Sequence, residues 1–187
     1  MTPILLAGPV SEPLSVDEVR AWLQLETHDE DNLLASMIKA ARCAVEQAVR
    51  RALMLQSWRL RLPNWPQQGE VRLPLSPILS IDAVRGFDAA GNGVLVDLGQ
   101  FRWCGSLVSL RPESVARSAF AFGVEIDVKA GYGANASDVP DAIRQGMLML
   151  IAHWYAHRSD GLHEASVTHF PAAIAGAIMP YRNMRLR

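Results

Sequence analysis

The sequence predicts an α+β protein: a helical body built from N- and C-terminal helices, a small antiparallel β-sheet inserted between them, and an extended C-terminal arm. Three observations carry this. Apolar residues recur at spacings of three and four around residues 15–53 and again around 139–158. Between about 56 and 131 the period falls to two, with glycine and proline punctuation. Beyond 158 both periods fade into small residues and prolines. The organisation expected is one domain over 1–158 and an arm over 159–187.

The elements follow in order. Ser15 precedes "VDEVRAWLQL" and has Glu18 three residues on, a capping-box pattern, and Val16, Val19, Leu23 and Trp22 give that short helix an apolar face. "THDEDN" interrupts it and places acidic residues where the next helix begins, at the positive end of its dipole. That helix is expected over about Asp31 to Leu53, its stripe formed by Leu33, Leu34, Met37, Ile38, Ala41, Val45, Ala48, Val49 and Ala52. Lys39, Arg42, Glu46, Arg50 and Arg51 form its outer, solvated face.

"SWRLRLP" alternates, placing Trp58, Leu60 and Leu62 opposite Arg59 and Arg61. A strand around Ile81 to Phe87 leads into "DAAGNGVLVDL", a hairpin signal, with Asp88 and Asp97 as turn residues. In "FAFGVEIDVKAGYG", Phe122, Val124, Ile126 and Val128 alternate with Glu125, Asp127 and Lys129. This is a small antiparallel sheet rather than a βαβ array, which disfavours nucleotide folds built on a glycine-rich phosphate turn. The last helix opens with Asp138 or Ser137 as cap and Pro140 in the first turn; Ile143, Met147, Leu150, Ile151 and Trp154 line its apolar face.

Composition narrows the function classes. The net charge of −1 announces no basic field for nucleic acid. Cys43 and Cys104 match no metal-ligand spacing and read as reduced, buried thiols. "MTPILLAGPVSEPLS" lacks a basic leader and is broken by prolines, a poor signal peptide, and no run approaches the ~20 apolar residues of a membrane span. The expectation is a soluble, intracellular protein with no membrane partner.

His153 and His157, four apart in "HWYAH", have the spacing of a zinc-protease helix. That chemistry requires glutamate after the first histidine as general base, and the residue there is Trp154. A zinc hydrolase completed by His163, His169 or Glu164 is the catalytic alternative; helix-surface histidines are the plainer reading. No G-x-S-x-G elbow is present, and Glu113, Glu125 and Asp127 show no spacing that assembles them. The chain reads as no enzyme, with no cofactor. Trp65, between prolines in "LPNWPQQG", is the best candidate for an exposed contact residue.

Several blocks, in order, resemble the head–tail connector proteins of long-tailed phages and gene transfer agents, also called adaptor or head-completion proteins. "PLSVDEVRAWLQLETHDEDNLLASMIKAARCAVEQAVRRALMLQSWRLRLPNWP" is similar to their opening, including a Q-x-W-x-L strand at Gln56, Trp58 and Leu60. "LPLSPILSIDAVRGFDAAG" looks like their proline-flanked strand and turn. "KAGYGANASDVPDAIRQGMLMLIAHWYAHR" matches their most distinctive block, and "AAIAGAIMPYRNMRL" their closing segment.

The resemblance implies a ring, usually twelvefold, beneath the portal in the neck of a virion or phage-like particle, assembled in the bacterial cytoplasm. Its lumen extends the channel through which double-stranded DNA passes, and it carries the stopper or tail. A closed ring needs a heterologous interface, one face of each subunit meeting a different face of the next. By the same resemblance the arm reaches the portal, through Met179, Pro180, Tyr181, Arg182, Met184 and Arg185. Arg42, Arg50, Arg51 and Trp65 are candidate subunit or lumen contacts. The competing readings are another neck or tail ring, such as a stopper or tail terminator, and, more distantly, a DNA-binding regulator.

Overall fold

The computed structural model describes residues 1–88, 91–111, 120, 122–157 and 170–183. Eight strands and four α-helices are present among them: β1 (Thr2–Ala7), α1 (Val16–Leu23), α2 (Asp31–Val49), β2 (Gln56–Leu62), β3 (Glu70–Arg72), β4 (Ile78–Phe87), β5 (Gly93–Val96), β6 (Phe101–Cys104), β7 (Leu107–Leu110), β8 (Gly123–Ala130), α3 (Asp141–Ala156) and α4 (Ala172–Ile178). The mixed α+β class is as the two periodicities predict. The chain divides into two compact units that interleave in sequence: a sheet unit of Met1–Pro9 and Leu55–Tyr132, and a helical unit of Val10–Met54 and the described residues from Gly133 on.

The sheet unit holds two sheets where the sequence predicts one. A five-stranded sheet has the order β1-β2-β8-β4-β5, and a three-stranded sheet the order β3-β7-β6. All pairs are antiparallel. Alternation explains the faces: Leu60, Val84, Val124, Ile126 and Val128 are buried, while Arg59, Arg61, Arg85 and Asp127 point the other way. The expected alternation of Phe122 ends early, since it lies just before β8 and is exposed. β1 is missed by the periodicity argument because its apolar residues are consecutive, and the structure leaves all six exposed.

In the helical unit the Ser15 capping box forms as predicted: the Ser15 hydroxyl accepts the Glu18 N–H at 3.1 Å, and Glu18 accepts the Ser15 N–H at 2.8 Å. The buried stripe of α2 is Leu34, Ile38, Ala41, Ala44, Val45 and Val49. The helix stops at Val49 rather than Leu53, because Arg50 adopts the left-handed conformation (φ 56°) and the chain turns away. Cys43 falls off the stripe and is exposed, as is Cys104; both are free thiols, so the expected burial is corrected. Pro140 is the N-cap of α3, and neither Ser137 nor Asp138 caps it. Asp138 instead accepts the Asn135 N–H at 2.9 Å, closing the 3₁₀ turn Ala136–Asp138.

That turn explains the "GYGANASD" block. Gly131 has φ +135°, a region costly for any side chain. A Cβ on Gly133 would lie 2.1 Å from the Asp138 carboxylate. Further on, α4 packs on α3 with Ile174 and Ile178 buried. Gly146 of α3 makes room, since a Cβ there would sit 2.6 Å from Ile178 Cγ2.

Candidate functional site

The histidine pair resolves first. His153 and His157 lie with ring centroids 4.4 Å apart, tilted at 45°, and His157 Nδ1 lies 2.7 Å from the His153 carbonyl oxygen. This is a local contact in the last turn of α3. No group of three or more metal-capable side chains occurs among the described residues; His163, His169 and Glu164 lie outside them. Within the sheet unit a hollow of about 290 Å³ opens beside Gly123 and Phe122. Its charged walls, Arg61 and Glu125, already pair with each other.

The C-terminal segment has a definite seat. After α4, residues Met179–Tyr181 form a 3₁₀ turn. Arg51 Nε donates to the Tyr181 carbonyl oxygen at 2.6 Å, and the Asn183 N–H donates to the Val49 carbonyl at 2.8 Å. The Val49 carbonyl belongs to the last turn of α2, where carbonyls lack intrahelical partners, so the segment completes that helix end. Met179, Pro180 and Arg182 remain exposed. Met184 and Arg185 lie outside the described residues.

The remaining candidates separate. Arg42 is only 11% exposed and is held by Glu12 at 2.7 Å and Glu46 at 2.9 Å, so its charge is spent within the chain. Arg51 is occupied by Tyr181, while Arg50 is exposed at the end of α2. Trp65 corrects the expectation of an exposed contact: it is buried, its ring 5.3 Å from Phe101 and 5.4 Å from Phe120. Three aromatic rings gathered from the loop, β6 and Phe120 remove more apolar surface than a proline-flanked loop suggests.

An ionic lattice on the five-stranded sheet escaped the sequence reading. Arg59 grips Asp127 with two bonds of 2.7 and 2.8 Å, Arg61 donates to Glu125 at 2.7 Å, and Arg85 reaches Asp127 at 3.1 Å. Hydrogen bonding from Arg59, against the opposing cost of burial, holds the Asp127 carboxyl below its ordinary value. Alternation put these charges on one face, but only the strand register makes them partners.

The head completion protein family has a model that matches residues 12–184. The chain belongs to this family. Three solved structures are similar over 100% of this chain and 98% of theirs. One is described as the neck of an empty gene transfer agent particle computed with C6 symmetry, 28% identical with a TM-score of 0.81. The second is the virion of a native gene transfer agent particle, 26% identical with a TM-score of 0.76. The third is the neck of a native particle computed with C12 symmetry, 26% identical with a TM-score of 0.75. Among curated proteins, none matches. The likeness to these structures runs through both units, and no helix among the described residues is long and apolar enough to cross a membrane.

Proposed function

We propose that this chain is a head–tail connector subunit, a structural protein without catalytic chemistry. Copies close a twelvefold ring beneath the portal in the neck of a virion or phage-like particle. The ring extends the DNA channel and gives the stopper or tail its platform. The observation that carries this reading is the likeness over the full chain to chains from gene transfer agent necks, one of those necks computed with C12 symmetry. The near-neutral charge fits a conduit, since each phosphate clamped in the lumen would slow passage.

The portal contact falls to Met179, Pro180 and Arg182, which are exposed beside the segment's docking bonds, with Met184 and Arg185 beyond them. Tyr181 serves mainly through its carbonyl, which faces Arg51. Light scattering after size exclusion, with the chain alone and mixed with its cognate portal, tests the reading. Comigration in one large complex is expected, and a monomer that ignores the portal overturns it. Met179→Asp with Arg182→Glu should abolish comigration at unchanged thermal stability, because neither side chain makes the docking bonds.

A further inference from the structure

We propose that the two free edges of the five-stranded sheet join neighbouring copies of this chain, β1 of one subunit pairing with β5 of the next. The inference rests on the ring reading and names the surfaces that build the ring.

Among the described residues β1 has one strand partner, β2, and β5 has one, β4. The strands are apolar and without charge, "TPILLA" and "GVLV". Ile4, Leu5 and Leu6 are 36%, 48% and 49% exposed, and Val94 and Leu95 are 46% and 69% exposed. A free edge of this kind invites pairing, and monomeric proteins blunt such edges with charge, proline or bulges. β1 carries Pro3 and a bulge between Leu5 and Ala7 but no charged residue, and β5 has only its shortness. Residues Ile4–Ala7 beyond the proline equal Gly93–Val96 in length.

Charge placement points the same way. One cross-strand row runs Thr2, Arg61, Glu125, Arg85, Leu95, and the next begins Ile4, Arg59, Asp127, Ala83. The charges pair with one another inside the sheet, and the first row ends in an uncharged side chain at each edge, Thr2 and Leu95. A second copy pairing along β1 and β5 therefore meets no charged side chain of either strand.

Direction and symmetry then fix the pairing. With every neighbour antiparallel, β1, β8 and β5 run one way and β2 and β4 the other. One step around a many-membered ring turns strand direction only slightly, so β1 meets the neighbour's β5 in parallel. The two edges are different surfaces on opposite sides of one sheet, as a head-to-tail ring requires. A twofold dimer would instead pair β1 with β1 or β5 with β5.

The test uses the full chain and its cognate portal, with Ile4→Lys to block β1 and Leu95→Lys to block β5. Far-ultraviolet circular dichroism and thermal unfolding establish that each variant is folded. Wild type with the portal is expected to form the ring, and each variant, which keeps its portal-contact residues, to form no ring and to run without portal at the monomer mass of 20.5 kDa. An equimolar mixture should give a species of twice that mass, since one variant keeps a free β5 and the other a free β1. Rings formed by either variant, or homodimers of one, overturn the edge pairing while leaving the ring reading intact. A wild type that never assembles with the portal overturns both. Should a lysine variant misfold, Leu5→Cys with Val94→Cys in a Cys43→Ser, Cys104→Ser background replaces it. These two positions share a sheet face, and a short bis-maleimide that tolerates a slip of one residue pair should link the assembled chains into a ladder. Absence of the ladder in assembled rings, or dimers from one cysteine alone, overturns the proposal.

Discussion

The two ends of the described chain are alike in composition and opposite in fate. "ILLA" of β1 in the sheet unit is exposed throughout, whereas "AAIAGAI" of α4 in the helical unit buries Ile174 and Ile178. Hydrophobicity alone does not separate them. α4 spaces its isoleucines four apart, which sets them on one stripe, and α3 offers Gly146 as a seat. β1 strings its apolar residues consecutively, so both faces carry them, and its outer edge has no strand beside it among the described residues. One apolar end is packed into this chain's own fold; the other stays exposed.

The largest effect that contrast predicts comes from the docked end. Ile178 is fully buried, and Ile178→Ala should cost about 2–5 kcal/mol in denaturant unfolding. Proteolysis of the segment should rise with it. A smaller effect is expected from the other side of the same contact. Gly146→Ala gains about 1 kcal/mol of helix propensity, yet its Cβ would sit 2.6 Å from Ile178 Cγ2. Overpacking of that size should win, for a net loss of roughly 1–3 kcal/mol. A stabilised Gly146→Ala protein would mean that α4 shifts freely, and the contrast would weaken.

How much of this was legible beforehand differs between the same regions. The Ser15 cap, the α2 stripe and the alternation of β2 and β8 were all readable, because each is a local pattern with a fixed period. The block around Gly131 and Gly133 was recognisable by resemblance, and the structure supplies its reason in a positive φ and a close carboxylate. β1 was not readable, since consecutive apolar residues have no period. The end of α2 was hidden because Arg50, not glycine, takes the left-handed cap. The burial of Trp65 and the pairing of Arg59 with Asp127 depend on which distant strands meet, and strand register is a tertiary fact. The docking of the C-terminal segment on the end of α2 is of the same kind.

Acid separates the units more gently. Asp127 in the sheet unit is held down chiefly by Arg59, Asp31 in the helical unit chiefly by Arg20, and Glu18 chiefly by the Ser15 N–H. All three folded-state values are depressed. Their stabilisation is therefore present above the ordinary carboxylate range, 3.8 for aspartate and 4.5 for glutamate, and is lost as pH falls below it. Asp127→Asn should cost about 1–2 kcal/mol at neutral pH, and the gap from wild type should close as pH falls below 3.8. A gap constant down to pH 2 would assign the loss to packing instead of charge.

The smallest effect is the most telling for the exposed end. Ile4→Thr keeps a β-branched side chain on an edge strand and removes apolar surface that is already partly in water. Its effect on unfolding of the monomer should stay within about 0.5 kcal/mol. The same isoleucine type at position 178 is expected to matter several times more. If Ile4→Thr instead costs as much as a core substitution, then β1 is secured by this chain itself and its edge is not free to pair. If the monomer is indifferent while assembly with the portal weakens, the apolar surface of β1 is doing its work between subunits, where the monomer's own stability gives no account of it.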